Sequence, residues 1–222
     1  MRRLLLLNLN LDPTELHGCT QISAAMREVD AQVTIAHFAT WPDATGFDGV
    51  VLGPQGTPFA AYPLDFLSNL RQWSLGLRAP VLAICGGMQA LALAHGGQLG
   101  GVDGGPQAQG LHYGEIPRIS GPTAVALTAA LPSEWQGPAA AELRQLWKIP
   151  QLLWQSHAEQ LTVLPPAWMV LAHSVKTPVE AYTVAEKRWL GCQFHAERGW
   201  LGDETACPAG KLLLAAWTQN LG

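Results

Sequence analysis

The sequence predicts an α/β domain of three layers, with a central, mostly parallel sheet and additional antiparallel strands in the second half. Two observations predict it. In the first half, short apolar runs alternate with stretches that carry apolar residues at helical spacing, the order of a covered parallel sheet. In the second half, short strand candidates follow one another, and turn signals separate most of them.

The elements follow in order. Arg3 to Leu9 reads as a buried first strand, Thr20 to Asp30 as a helix and Gln32 to His37 as the next strand. Gly49 to Leu52 is a short buried strand, and Leu64 to Leu77 has the apolar spacing of a helix. Pro80 to Ile84 is a strand that runs into a helix over Gly87 to His95. The stretch Gly100 to Gly110, rich in Gly and Gln, reads as a surface loop, and Pro132 to Ala141 as a second irregular segment. Strand candidates in the second half are His112 to Ile119, Ala124 to Leu127, Gln151 to Trp154, Met169 to His173, Val179 to Val184 and Trp189 to Phe194. Gly210 to Leu221 closes the chain as a helix. No repeat and no linker interrupts residues 1–222, so they read as one domain, a size that suits the larger sort.

Composition narrows the function classes. Apolar residues make up 48%, enough for a real core, while charged residues reach only 14%, a low load that leaves apolar surface for a partner to cover. A net charge of -4 carries no electrostatic footprint for nucleic acid. Met1 to Leu11, MRRLLLLNLNL, resembles a signal peptide, but its apolar run stops at Asn8 and no small-residue cleavage site follows closely. No stretch reaches the length of a membrane span. Cys19, Cys85, Cys192 and Cys207 show no CxxC spacing, so neither a zinc site nor a disulfide framework is expected, and a reducing, cytoplasmic setting fits. No metal and no cofactor is expected.

The chemistry gathers at two places. In "PVLAICGGMQ" the strand Pro80 to Ile84 feeds into Cys85, with Gly86 and Gly87 at the turn into a helix. A sharp strand-to-helix turn holds its residue in strained geometry and presents the side chain at the carboxyl edge of the sheet, where α/β proteins bind ligands. The helix N-terminus favours a thiolate, and its free N–H groups can receive a developing oxyanion. Alone, such a cysteine reads equally as core packing. In "WLGCQFHAE" His195 follows an apolar strand and Glu197 lies two residues on. Alternate residues of an extended segment share a face, so the carboxylate can accept from one imidazole nitrogen while the other faces a thiol. Alone, His195 reads as a capping or surface residue and Glu197 as a solvated charge.

"AICGGMQ" followed much later by "GCQFHAE" resembles the class I (triad) glutamine amidotransferases, whose domains carry a G-I/V-C-x-G-H/M-Q elbow and a G-x-Q-F-H-P-E strand end. "WQSHAEQLTVLPPAWMVLAHS" is similar to a third family segment, in the form nearest that of GMP synthase glutaminase domains. The resemblance spans nearly the whole chain and implies a flavodoxin-like fold. It implies Cys85 as nucleophile, His195 as general base and acid, and Glu197 as the residue that orients it. Gly86 stands where the family has one backbone oxyanion donor, Gln89 where it has a substrate contact, and Ser156, His157 and Ala158 in a segment that lines the substrate site; His157 reads as structural.

Three positions depart from the pattern. Ala83 stands where Gly is usual, and Ala196 replaces the Pro between His and Glu. In "VLGPQGTP" the family's glycine-rich oxyanion loop is altered, and the best register places the second donor on Gln55, because Pro54 has no N–H.

The reaction that the resemblance implies is hydrolysis of the glutamine side-chain amide through a γ-glutamyl thioester, with no cofactor. No G-x-x-x-x-G-K-S/T motif is present, so either a separate synthetase subunit accepts the ammonia or the substrate is hydrolysed outright. Three alternatives stay open: a γ-glutamyl hydrolase acting on another γ-glutamyl amide, a catalytically silent binding member of the fold, and a thiol-dependent chaperone or stress protein of the related fold. The intact Cys85, His195 and Glu197 weigh against the second, and the "QFHAE" strand end against the third.

Overall fold

In the computed structural model, which describes residues 1–105, 117–200 and 207–222, the strand Arg2–Asn8 (β1) pairs in parallel with two others. Ala31–His37 (β2) lies on one side and Gly49–Leu52 (β3) on the other. Beyond β3 come Val81–Ile84 (β4) and then Trp189–Cys192 (β11), both also parallel. β3, β4 and β11 are buried on both faces, which is why each is a short continuous apolar run and not an alternation.

Successive leucines of β1 sort themselves between two layers. Leu4 and Leu6 pack with the helices His17–Arg27 (α1), Pro138–Leu146 (α4) and Pro208–Gln219 (α5). Leu5 and Leu7 pack on the opposite face with Phe66–Leu75 (α2) and Gly86–Ala94 (α3). The two-residue period of a strand thus builds the three layers directly. α3 is buried nearly all round, in keeping with its "GGMQALALA" composition.

The sheet continues past β11 as Ala181–Val184 (β10), Met169–His173 (β9), Ile119–Leu127 (β6) and Gln151–His157 (β7), each antiparallel to its neighbour. The full order is β2-β1-β3-β4-β11-β10-β9-β6-β7. Among the described strands only β10 and β6 oppose the common direction, so the nine-stranded sheet is mostly parallel in sense, with the antiparallel pairings confined to one side.

Several boundaries differ from the sequence reading. α1 begins at His17 without a side-chain cap, so no capping signal marked its first turn. Gly100 and Gly101, read as loop, belong to a strand Gln98–Gly101 (β5) that pairs antiparallel with an unpredicted strand, Glu159–Val163 (β8). Glycine has low strand propensity, yet a Cβ at Gly100 would come within 3.0 Å of Thr162 Cγ2, so packing overrides propensity there. Pro132 to Ala141, read as irregular, holds the start of α4, with proline in its first turn and Ala139, Ala140 and Leu143 buried. β6 runs through Gly121 and Pro122; Pro122 pairs with β7, while β9 reaches only Ala126 and Leu127 of this strand. Residues 106–116 lie outside the described residues, and with them most of the strand expected over His112 to Ile119.

Candidate active site

β4 delivers Cys85 to the carboxyl edge of the sheet and α3 begins at the next residue. Cys85 has φ 51° and ψ -113°, a conformation that costs a non-glycine residue of the order of 1–3 kcal/mol and persists only where its surroundings hold it. Its N–H donates to the Cys192 carbonyl at 2.7 Å, which continues the β4–β11 pairing past the last strand residue. The glycines answer to close approach: a Cβ on Gly87 would sit 2.4 Å from the Leu52 carbonyl oxygen, and one on Gly86 2.6 Å from Gln55 Cγ. The strand-to-helix elbow expected from "AICGGMQ" is therefore present, with the thiol buried and lining a cleft.

Because β11 lies beside β4, the chain that leaves Cys192 passes the elbow. His195 is fixed by its N–H on the Trp154 carbonyl at 2.8 Å, and its Nδ1 lies 2.7 Å from Glu197 Oε1. Both side chains are buried. Strand geometry does not produce this pair: β11 ends at Cys192, and Glu197 sits in the short helical turn Ala196–Trp200, closed by Arg198 N–H on the His195 carbonyl at 3.2 Å. The spacing of two residues succeeds through a tight turn where alternation had been expected.

Burial alone would depress the His195 pKa. The buried Glu197 carboxylate outweighs it, aided by charge and hydrogen bonding from Cys85, and the imidazole is held above its ordinary value. His157, in contrast, is pushed down to about 4, chiefly by burial. Its ring is neutral near pH 7, with Nδ1 on the Glu159 carbonyl at 2.9 Å.

The cleft holds about 280 Å³ and brings together every predicted site residue apart from Glu197, which stands behind His195. Cys85, Gly86, Gln55, Gln89, Ser156, Ala158 and His195 all line it. Gln55 N lies 3.0 Å from the point a Gly86 Cβ would occupy, so the loop after β3 rests on the elbow. Its other side abuts α1, where a Cβ on Gly18 would lie 2.7 Å from Pro54 Cγ. The Ser156 carbonyl lies 4.0 Å from Cys85 Sγ, and its hydroxyl accepts from Arg118 at 3.1 Å. Gln89 Nε2 donates to the Glu159 carbonyl at 2.6 Å and to Gln193 Oε1 at 3.0 Å.

Sequence reasoning passed over Gln193, Arg118 and Arg198. Gln193 is fully buried with Nε2 3.6 Å from Cys85 Sγ, and it stood in plain view inside "GCQFHAE". Arg118 and Arg198 line the cleft but lie outside any quoted motif or departure. Among the described residues no group of three His, Cys, Asp or Glu side chains is placed to hold a metal ion, and no helix is long and apolar enough to cross a membrane.

The sequence profile of the class I glutamine amidotransferases matches residues 19–200. The chain is 30% identical over 154 residues to the glutamine-hydrolyzing GMP synthase of Xanthomonas oryzae pv. oryzae, a match covering 68% of this chain and 25% of that protein. To the GMP synthase of Synechococcus sp. it is 27% identical over 181 residues, 79% of this chain and 29% of the relative. The chain thus spans little more than a quarter of these relatives. In fold it is similar to a GMP synthase subunit protein of Thermoplasma acidophilum, with a TM-score of 0.72 at 18% identity, covering 100% of this chain and 94% of the other. It also matches a glutamine amidotransferase of Thermotoga maritima, with a TM-score of 0.68 at 16% identity, covering 99% and 98%. The flavodoxin-like arrangement read from the sequence is the fold these neighbours share, and the chain belongs to the class I glutamine amidotransferase family.

Proposed function

We propose that residues 1–222 form one glutaminase domain, which releases ammonia from the side chain of glutamine through a Cys85–His195–Glu197 triad. The observation that carries this reading is the buried His195–Glu197 pair beside a cysteine on a strained elbow. Cys85 Sγ attacks the amide carbon, and the oxyanion meets the N–H groups of Gly86 and Gln55. His195, held protonated more readily than an ordinary imidazole, gives its proton to the amide nitrogen, and the C–N bond breaks to release ammonia. The resulting γ-glutamyl thioester is attacked by water, whose proton passes to His195. Collapse of that intermediate releases glutamate and restores the sulfur.

Gln89, Ser156 and Ala158 line the space beside the sulfur and serve as substrate contacts. The relatives carry much additional chain, and they support a synthetase unit outside these residues as the acceptor of ammonia. Four cysteines with no disulfide among the described residues and a modest negative charge fit work in a reducing cytoplasm without nucleic acid. Ammonia release from glutamine and from a set of larger γ-glutamyl amides tests the reading. Turnover of glutamine that is absent in Cys85→Ala supports it; turnover only of the larger amides turns it into a γ-glutamyl hydrolase.

A further inference from the structure

We infer that Gln193 is a further catalytic residue, an amide N–H donor held against the Cys85 sulfur with its polarity set by Gln89. The inference rests on the reading of Cys85 as the nucleophile. Which end of a buried amide is nitrogen is decided by its partners, and here the chain of partners has a fixed start. The Glu159 carbonyl can only accept, so the Gln89 atom 2.6 Å from it is Nε2. That same nitrogen meets the Gln193 amide at 3.0 Å, and a donor needs an acceptor there, which makes the facing atom Oε1. Gln193 Nε2 is then the end turned toward Cys85 Sγ, at 3.6 Å. Turning the Gln193 amide over would set nitrogen against nitrogen at one end and oxygen against sulfur at the other. The Gln193 backbone is itself tied down, its N–H donating to the Glu180 carbonyl at 2.7 Å.

The consequence concerns the charge on sulfur. Besides the His195 imidazole, with which it interacts by charge and hydrogen bonding, Cys85 Sγ meets this donor at 3.6 Å and an acceptor, the Ser156 carbonyl at 4.0 Å. The carbonyl favours S–H and the amide favours S⁻, and the amide is nearer. Gln193 is fully excluded from solvent, so its N–H has no competing water at the surface and acts in a low-dielectric setting. Hydrogen bonds to an ionised partner are about twice as strong as neutral ones. The same donor favours the sulfur as leaving group when the thioester is hydrolysed, since the departing atom again carries the negative charge. Gln89 acts through Gln193 and is in this respect a positioning residue, whatever it contributes to substrate contact.

The test is alkylation of Cys85 by iodoacetamide in the full chain from pH 6 to pH 10, with Cys85→Ala as the blank for the other three cysteines. It needs no glutamine turnover. Gln193→Met keeps the length and removes the donor; Gln89→Met keeps Gln193 and frees its amide to turn. Each variant is expected to alkylate roughly tenfold more slowly than the parent at pH 6, the energy of one charge-assisted bond, with the gap closing by pH 10. A merely structural role would lower the rate equally at every pH or not at all. If Gln193→Met fails to fold, Gln89→Met carries the test alone. Rates equal to the parent's across the range, or a deficit independent of pH, would overturn the inference. A parent that shows the predicted behaviour against its variants but leaves glutamine intact would overturn the proposed reaction and uphold this assignment.

Discussion

The 2.7 Å contact between His195 Nδ1 and Glu197 Oε1 is made inside the protein, where both side chains are buried. A hydrogen-bonded carboxylate fixes the tautomer, and in the proposed mechanism Nε2 is then the working nitrogen. Glu197→Gln keeps the shape and removes the charge. Turnover of glutamine should fall at least about a hundredfold, with a smaller change in KM, as for the orienting carboxylate of other triads. Steady-state kinetics check it; unchanged kcat would remove Glu197 from the mechanism.

The elbow glycines should separate stability from activity. A Cβ at Gly87 meets backbone, the Leu52 carbonyl, at 2.4 Å, and neither side can yield cheaply. Gly87→Ala is expected to cost roughly 1–3 kcal/mol or more in a denaturant melt. At Gly86 the nearest atom is Gln55 Cγ, a side-chain atom, with Gln55 N at 3.0 Å. Gly86→Ala should therefore fold but shift the Gln55 loop, lowering kcat by roughly a hundredfold as an oxyanion donor is misplaced. A Gly86→Ala protein with full activity would show that this loop does not serve the oxyanion.

Two buried groups give opposite slopes of stability against pH. Burial lowers the His157 pKa to about 4, so below 6.5 the unfolded chain takes up a proton that the folded one refuses, and stability is lost as pH falls. Burial raises Glu180 to about 7, so above 4.5 the folded chain keeps a proton that the unfolded one has released, and stability falls as pH rises toward 7. The two offset one another between about pH 4.5 and 6.5. Glu180→Gln should expose the His157 slope, so urea midpoints rise from pH 4.5 to 6.5 by an amount worth roughly 2 kcal/mol. A flat profile in that variant would contradict the burial of His157 as neutral imidazole.

Most of the fold was legible because its central strands are unbroken apolar runs, and "VVL", "VLAI" and "LLLL" can hardly be anything else in an alternating α/β pattern. Cys85, His195 and Glu197, proposed here as a triad, stood out because a cysteine before two glycines and a histidine two before a glutamate are local signals. What failed was non-local or weakly signalled. β8 carries polar residues at Glu159 and Gln160 that are nonetheless buried. Gln193 gains its meaning only when β11 is laid beside β4 and brings it to a sulfur 108 residues away in sequence.

The loop after β3 is wedged between Gly18 and Gly86 and carries Pro54, whose fixed φ also restricts Gly53. A peptide so held turns its N–H toward an oxyanion less readily than a Gly-Gly pair. The isolated chain is expected to hydrolyse glutamine well below the usual enzyme median of about 10 per second, and to speed up when a partner or acceptor substrate orders the loop. A turnover of tens per second for the purified chain would show the loop to be preformed.

The most direct test of the central claim is peptide mass mapping after the chain is treated with a glutamine-like electrophile, alongside ammonia release by the parent and by Cys85→Ala. The account predicts one adduct, on Cys85, none on Cys19, Cys192 or Cys207, and no ammonia from Cys85→Ala. Ammonia released from glutamine by Cys85→Ala at the parent rate, or an adduct that bypasses Cys85, would contradict it.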